Sequence, residues 1–282
     1  MKRRVLGMLA AAALGLTAVV GVAPAATAEP AIGVPYVAFG DSEAAGTGNL
    51  PYVDEDCKRS KKSYPLLAGG MSYACSGAAT YDMSAALDLP EQIAMAMADG
   101  ALGAGTQLVT ITIGANDLSW QTALETCFTM DDAACAAAIA ASSGAVPGMI
   151  GNLAASVGGI RSMAPSATIL VTGYPLLFGE VEDFCSIGAV QGTPVKVTSE
   201  QTHAVNAAIA ALDSALFQMV QTIRLGDPNV DYANVAALFF GHGLCDTGDR
   251  WISGLVSGKK TFDRSLHITT PGQQAIAAML TP

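Results

Sequence analysis

The chain of 282 residues carries 14 Lys and Arg against 24 Asp and Glu, which gives a formal net charge of −10. This excess of acidic residues argues against nucleic acid or an anionic membrane surface as the main partner. The sequence contains six cysteines and only three histidines, so few side chains can serve as an imidazole base.

The first 28 residues have the pattern of a secretory signal peptide. Basic residues 2–4 precede an almost wholly apolar run, residues 5–23, and small residues at 26–28 form a cleavage site. We predict cleavage after about Ala28 and a secreted protein; the Ala/Gly-rich run and the cleavage signature disfavour the alternative, an uncleaved anchor. Removing these 28 residues, three of them basic, leaves 254 residues with a net charge of −13, predicted to form one domain, residues 29–282.

Short apolar runs alternate along the chain with patterns of helical spacing. Predicted strands, each bounded by Gly, Pro or Asn, cover residues 36–39, 108–113, 168–172 and around 230–235. Predicted helices cover residues 83–97, 133–163 with a break near 144–148, 200–223 and 272–280. Thr198 and Gln201 form a predicted capping box before the helix at 200–223. This alternation predicts a parallel sheet with helices on both faces.

The six cysteines predict disulfides, because their number is even and the chain is predicted to be exported. A zinc site is disfavoured because the spacings contain no CxxC pair and no His-Cys cluster. Fifteen connectivities are open. We favour sequential pairing, which closes short loops in the first two cases: Cys57–Cys75, Cys127–Cys135 and Cys185–Cys245.

A candidate nucleophile follows the first predicted strand. The run Gly40-Asp41-Ser42 places a hydroxyl at the carboxyl end of a buried strand, where α/β folds expose reactive groups. An ordinary turn after a strand is the alternative. If Ser42 is a nucleophile, it needs a neutral imidazole within hydrogen-bond reach.

Among the three histidines, His267 is the best placed base, because it lies in a loop just before the last predicted helix. His203 lies in the first turn of a predicted helix, where a solvated or capping role is favoured. His242 lies beside Cys245, and a structural role in that loop is favoured.

Two further segments contain groups that can stabilise an oxyanion. Asn116 follows the strand at 108–113, and its side-chain NH₂ can point at developing negative charge. The alternative for Asn116 is an Asx turn. Gly77 follows Cys75 and Ser76 and can present its backbone N–H to a substrate oxygen; the alternative is a tight turn beside a disulfide.

The order of these segments resembles the four conserved blocks of the SGNH (GDSL) hydrolase family. The segments are PYVAFGDS (35–42), CSGA (75–78), VTITIGAND (109–117) and HITTPGQ (267–273), and they are similar to those of secreted actinomycete lipases and esterases. Cysteines in three consecutive pairs also resemble that subgroup. The resemblance implies a flavodoxin-like three-layer α/β/α sandwich with a central parallel sheet. It further implies hydrolysis of carboxylic esters, often of lipids, without a metal or cofactor.

Residue by residue, the resemblance assigns four roles. Ser42 matches the nucleophile, and its backbone N–H matches the first oxyanion donor. Gly77 matches the second donor and the side-chain amide of Asn116 the third. His267 matches the general base.

The chain departs from the family pattern near both reacting groups. Arg264 stands where the family commonly has an aspartate that orients the histidine, and Asp263 is one residue further away. We favour the Arg264 carbonyl over the Asp263 side chain as the orienting group. Ile268 stands where a proline usually follows the histidine. Glu43 follows the nucleophile and either disfavours anionic substrates or faces water.

Two alternatives to a lipase or esterase remain. A carbohydrate-ester deacetylase on the same scaffold would use the same residues. A non-catalytic envelope-binding protein is motivated by the altered surroundings of His267. We expect a monomer that acts on a small-molecule or lipid ester, with transient contact to a lipid interface.

Overall fold

The computed structural model describes residues 32–81, 87–256, 258 and 262–280. The predicted leader, residues 1–28, lies outside the described residues. The first residues of the helix predicted at 83–97, residues 83–86, also lie outside the described residues.

Five parallel strands form the central sheet, in the order β4-β1-β5-β6-β9. They are β1 (Tyr36–Gly40), β4 (Met71–Ser72), β5 (Leu108–Thr112), β6 (Thr168–Thr172) and β9 (Val230–Ala233). Numbered within the sheet this order is 2-1-3-4-5, that of flavodoxin-like folds. The four predicted strands are confirmed, whereas the two-residue edge strand β4 is too short to give a sequence pattern.

Two antiparallel pairs lie outside this sheet. They are β2 (Tyr52–Asp54) with β3 (Arg59–Ser60), and β7 (Phe184–Val190) with β8 (Thr193–Thr198). The β7–β8 hairpin was not predicted. A register shift between Ser186 and Gly188 interrupts its alternation of buried and exposed residues, which is the signal that predicts a strand.

Nine α-helices and one 3₁₀ helix, Phe262–Arg264, are found within the described residues. The helices are α1 (Ser42–Ala45), α2 (Tyr64–Leu67), α3 (Leu89–Ala98), α4 (Trp120–Thr129), α5 (Asp132–Ser143), α6 (Val146–Met163), α7 (Ser199–Arg224), α8 (Val235–Leu238) and α9 (Thr270–Leu280). The predicted break between α5 and α6 is confirmed at residues 144–145, and so is the capping box of α7.

Within the stretch Asp132–Met163, the most apolar window of 18 residues has a mean hydropathy of 1.6, and by length and composition alone the stretch could cross a membrane. It comprises α5 and α6, which are separate helices. Only 11% of its most apolar window is buried, so most of this apolar surface faces outward.

The central strands β1 and β5 are buried on both faces, which fits the three-layer α/β/α sandwich implied by the family resemblance. Every residue of β1 is buried, and β5 is buried from Val109 to Thr112. Because all five strands are parallel, their carboxyl ends share one edge. Gly40 pairs there with Thr112. The segments after β1, β5 and β6 are therefore brought together.

Three disulfides join the six cysteines in the favoured sequential pattern, Cys57–Cys75, Cys127–Cys135 and Cys185–Cys245. The first joins the β2–β3 region to the segment that precedes Gly77, and the second joins α4 to α5. The third joins β7 to the loop before Trp251. The first of these bonds lies at the carboxyl end of β1, because the Cys75 N–H donates to the Gly40 carbonyl at 3.0 Å.

Candidate active site

Ser42 is the first residue of α1, directly after the turn that ends β1. Gly40 makes the turn possible: its φ is +150°, and a Cβ there would collide with the carbonyl oxygen of Thr112. Asp41 is the N-cap, and its Oδ1 accepts a hydrogen bond of 3.0 Å from the Glu43 N–H. Ser42 thus lies at a helix N-terminus, where backbone N–H groups favour negative charge.

A buried hydrogen-bond network fixes this turn. Gln92 on α3 donates from Nε2 to the Gly40 carbonyl and accepts from the Gly40 N–H, each at 2.8 Å. Tyr174, just after β6, donates from Oη to Asp41 Oδ2 at 2.6 Å. Asp41 is 1% exposed, and its burial raises the pKa of the carboxyl to about 7.

His267 follows the 3₁₀ helix and the residue Leu266, which has a φ of +64°. Its Nδ1 lies 3.0 Å from the Ser265 carbonyl oxygen. Because a carbonyl can only accept, Nδ1 carries the proton and Nε2 keeps its lone pair. Burial lowers the pKa of His267, and hydrogen bonds to the backbone of Ser265 and Asp263 act in the opposite direction.

The group that accepts a hydrogen bond from the His267 ring is neither of the two expected from the sequence, the Arg264 carbonyl and the Asp263 side chain. The Arg264 carbonyl accepts the backbone N–H of His267 at 3.2 Å, while the Asp263 carboxylate forms an ion pair of 3.1 Å with Lys58. The 3₁₀ turn and the left-handed Leu266 bring the Ser265 carbonyl, one residue after Arg264, to the ring instead. Sequence spacing alone does not reveal this turn.

Asn116 and Gly77 lie on two segments that follow β5 and β4. The Asn116 Nδ2 donates to the Ala78 carbonyl at 2.8 Å, which orients the amide and leaves its second N–H. Gly77 has a φ of +90° and lies beside the Cys57–Cys75 disulfide. The Cys75 N–H bonds the Gly40 carbonyl at 3.0 Å, so the Gly77 segment is attached to the end of β1.

One cavity of about 910 Å³ is lined by Ser42, Asn116 and His267 together. Ser76 lines it as well, although its neighbour Gly77 does not. Most of the remaining wall is apolar and comes from α4, the start of α6, α7 and the β7–β8 hairpin. Its larger apolar residues include Trp120, Leu124, Phe128, Val146, Leu177, Val190, Val195, Ile209 and Leu212.

The other two histidines lie elsewhere. His242 stacks on Trp251 with ring centroids 3.6 Å apart, and His203 is exposed on α7. No group of three or more His, Cys, Asp or Glu suited to a metal ion occurs within the described parts of the chain.

Sequence reasoning missed three residues that support the site: Gln92, Tyr174 and Ser265. They are 52, 133 and 2 residues from their partners, so a local sequence pattern could not pair Gln92 or Tyr174 with the site. Glu43 does not simply face water, because its Oε2 accepts a hydrogen bond of 3.3 Å from the Ile268 N–H.

The fold and the cavity together fit a hydrolase on a three-layer α/β/α scaffold. The profile of the GDSL-like Lipase/Acylhydrolase family matches residues 38–275. The chain belongs to this family and is a carboxylic ester hydrolase.

Two Streptomyces lipases and a Streptomyces phospholipase are similar to this chain over most of their length. Lipase 1 of Streptomyces coelicolor is 31% identical over 281 residues, which cover 96% of this chain and 94% of that protein. The crystal structure of phospholipase A1 from Streptomyces albidoflavus has a TM-score of 0.69 and 29% identity, covering 87% of this chain and 96% of that one. The crystal structure of the extracellular lipase of Streptomyces rimosus has a TM-score of 0.68 and 28% identity, covering 88% of this chain and 99% of that one.

Proposed function

We propose that this protein hydrolyses fatty-acid esters of lipids, with Ser42 as the nucleophile and His267 as the general base. The observation that carries the proposal is the largely apolar cavity of about 910 Å³ that both residues line. This volume is near the upper end of the ~300–1,000 Å³ usual for ligand pockets. It accommodates a long acyl chain, whereas an acetyl group would leave most of the apolar wall without a partner.

The reaction begins when Ser42 Oγ attacks the ester carbonyl and His267 Nε2 takes the hydroxyl proton. The tetrahedral intermediate collapses, and the leaving alcohol takes the proton from His267. Water then attacks the acyl-enzyme with His267 again as the base. The Nδ1–H contact with the Ser265 carbonyl supports this role, because it keeps the lone pair on Nε2.

The oxyanion is held by the N–H groups of Ser42 and Gly77 and by the Asn116 side chain. The Ser42 N–H is at a helix N-terminus, and the amide of Asn116 is oriented by the Ala78 carbonyl. A preorganised donor of this kind lowers the barrier by about 3 kcal/mol. The Gly77 segment is attached to β1 next to Ser42, which supports its assignment as the second donor.

The substrate source is a neutral or zwitterionic lipid surface. Residues 133–160 contain no charged side chain, and Ala136, Ala137 and Ala140 on α5 are exposed. The same segment contributes Ser142, Val146 and other residues to the cavity lining, so this uncharged surface adjoins the cavity. The negative charge of the rest of the chain opposes contact with anionic lipids.

A charge placed on this surface tests the lipid contact. Ala137→Glu should lower hydrolysis of emulsified triglyceride several-fold and leave hydrolysis of a dissolved short-chain ester unchanged. Ala210→Glu, on the exposed face of α7, is the control. Equal rates of the two variants on emulsion would exclude α5 as the contact surface.

The enzyme acts outside the cell as a monomer after cleavage near Ala28. Three disulfides support an oxidising compartment. One chain supplies the nucleophile, the base and the cavity wall, so the proposed reaction needs no residue from a second copy.

Turnover of p-nitrophenyl esters from acetyl to palmitoyl tests the proposed function. We expect kcat/KM to rise with chain length, because each buried CH₂ contributes ~0.8 kcal/mol. Ser42→Ala and His267→Ala should each abolish turnover, and His203→Ala should retain it. A rate that is highest for acetyl esters and acetylated polysaccharide would favour the deacetylase. Absence of turnover together with absence of Ser42 labelling by a phosphonate would favour a non-catalytic protein.

A further inference from the structure

We propose that Glu43 is a positioning residue that holds the loop of His267 at a fixed position relative to the turn of Ser42. The inference rests on the proposed function, because it assigns His267 the role of base. It concerns the residue that follows the nucleophile in this chain, for which the family resemblance supplies no role.

All three polar groups of Glu43 take part in contacts around the two reacting residues. Its N–H donates to Asp41 Oδ1 at 3.0 Å, on the side of the nucleophile. Its carbonyl accepts from Gln273 Nε2 at 2.9 Å, and its carboxyl Oε2 accepts from the Ile268 N–H at 3.3 Å. The last contact is to the residue bonded to His267, so one side chain spans from α1 to the histidine loop.

Asn49 holds the other polar group of Ile268. Asn49 Nδ2 donates to the Ile268 carbonyl at 2.8 Å, and Thr270 Oγ1 donates to Asn49 Oδ1 at 2.8 Å. The N–H and the carbonyl of Ile268 are thus both bonded to the segment 43–49. Ile268 is 3% exposed, so water does not readily replace either bond.

This arrangement matters because, within the described residues, the imidazole makes no hydrogen bond to a carboxylate that would orient it; the charge of Asp263 acts only to raise its pKa. The Asp263 carboxylate pairs with Lys58, and the Nδ1 partner is the carbonyl of Ser265 in the same loop. A local carbonyl sets the tautomer, but it moves together with the loop. The segment Trp251–Ser253 also bonds the loop, since the Ser253 N–H donates to the His267 carbonyl at 3.0 Å. Bonds between the loop and α1, however, link the two reacting residues directly, and of these the Glu43–Ile268 bond is the nearest to the ring in sequence.

The contact does not need a charged carboxyl. Burial, together with the nearby charge of Asp41, raises the pKa of Glu43 to about 8. A protonated carboxyl still accepts through its carbonyl oxygen, as a glutamine amide does. Glutamine at this position should therefore preserve the contact, whereas leucine of similar size removes it.

The test compares Glu43→Gln with Glu43→Leu on dissolved p-nitrophenyl butyrate. We expect Glu43→Leu to lose about 10- to 100-fold in kcat, as a misplaced catalytic group does, with KM within about threefold. Glu43→Gln should stay within about threefold of the parent in both constants. The rate of Ser42 labelling by a phosphonate should fall in parallel with kcat. Glu182→Leu, at an exposed position, is the control for loss of a carboxyl.

The outcomes separate the inference from the proposed function. If Ser42→Ala is inactive while Glu43→Leu keeps full kcat, the positioning role is wrong and the proposed function stands. If Ser42→Ala remains active, the proposed function itself fails. If both Glu43 variants gain activity on anionic esters without losing kcat on neutral ones, the carboxyl repels anionic substrates and the positioning role is again wrong. Should Glu43→Leu not fold, Glu43→Met serves the same comparison.

Discussion

The hydroxyl of Tyr174 joins the ends of three neighbouring strands through two hydrogen bonds. It donates to Asp41 Oδ2 at 2.6 Å after β1 and accepts from the Ala115 N–H at 3.2 Å after β5, while Tyr174 itself follows β6. Ala115 precedes Asn116. One buried phenol therefore fixes the nucleophile turn relative to the segment that bears an oxyanion donor.

Removing this hydroxyl should affect both stability and rate. We expect Tyr174→Phe to lose about 1–3 kcal/mol in unfolding free energy, because it leaves the buried Asp41 carboxyl and the Ala115 N–H without this partner. Its kcat should also fall. Urea unfolding and ester kinetics measure the two effects, and Tyr81→Phe, at an exposed position, is the control. If Tyr174→Phe had the same unfolding free energy as the parent, the Tyr174 hydroxyl would not stabilise the fold in this way.

The oxyanion role of Asn116 predicts a large effect on rate. Asn116→Ala should lower kcat by about 10²–10³, the usual cost of losing one oxyanion donor, with little change in KM. Asn229→Ala, in an exposed turn after α7, should not change it. A kcat in Asn116→Ala within twofold of the parent would favour the Asx-turn alternative.

Activity should persist below the pH at which an ordinary histidine becomes protonated. The base must be neutral, and burial lowers the pKa of His267 below its usual 6.5. The acid limb of the kcat/KM profile should therefore have its midpoint under pH 6.5. A midpoint above 7 would show that the ring is not buried as described or is not the base.

Stability should fall as the pH rises from acid to mildly alkaline values. Asp41, Glu43 and Asp213 have pKa values raised to about 7, 8 and 7, mainly by burial. In the folded state they keep their protons above the pH at which the unfolded chain releases them. Each therefore makes a contribution to the unfolding free energy that falls as the pH rises from about 4 to its folded pKa, whereas the lowered pKa of His267 acts in the opposite direction below about pH 6.5.

The variant Asp213→Asn tests how much Asp213 contributes to this decrease of unfolding free energy with rising pH. Asp213 accepts from the Tyr174 N–H at 2.9 Å, a bond that an asparagine oxygen can also accept. Chemical denaturation from pH 5 to 8 should give a shallower decline for Asp213→Asn than for the parent. Identical slopes would mean that Asp213 is ionised throughout this range.

The cavity wall predicts a change in chain-length preference. Ala208 on α7 lines the cavity, whereas Ala210 on the same helix is exposed. Ala208→Phe should shorten the available space and shift the kcat/KM optimum toward shorter acyl chains. Ala210→Phe should leave the optimum unchanged. The same optimum in both variants would place the acyl chain elsewhere.

The sequence predicted the parts of the fold that depend on local patterns. Buried parallel strands produce continuous apolar runs, and a capping box has a fixed spacing, so β1, β5, β6 and the start of α7 could be recognised. The three disulfides could be favoured because two of them close short loops.

The contacts that support the site could not be predicted in this way. Gln92 and Tyr174 meet the nucleophile turn only after the sheet has formed, across 52 and 133 residues. The Ser265 carbonyl reaches the ring because Leu266 is left-handed, a conformation that the leucine side chain does not indicate. The position of Glu43 depends on the approach of the histidine loop, which Gly48 permits, since a Cβ there would lie 2.6 Å from the Arg264 Cα.

The formation of the cavity wall depends in part on a disulfide, because the β7–β8 hairpin belongs to that wall. The hairpin contributes Val190 and Val195 to the cavity wall, and the Cys185–Cys245 disulfide bonds it covalently to the body of the protein. Without this bond, apart from its own chain connections, the hairpin would be held by non-covalent contacts, such as the Leu255 N–H bond of 2.7 Å to the Ile187 carbonyl. We expect the acyl-binding wall to form fully only once this disulfide has formed, whereas the central sheet, whose strands contain no cysteine, does not depend on it.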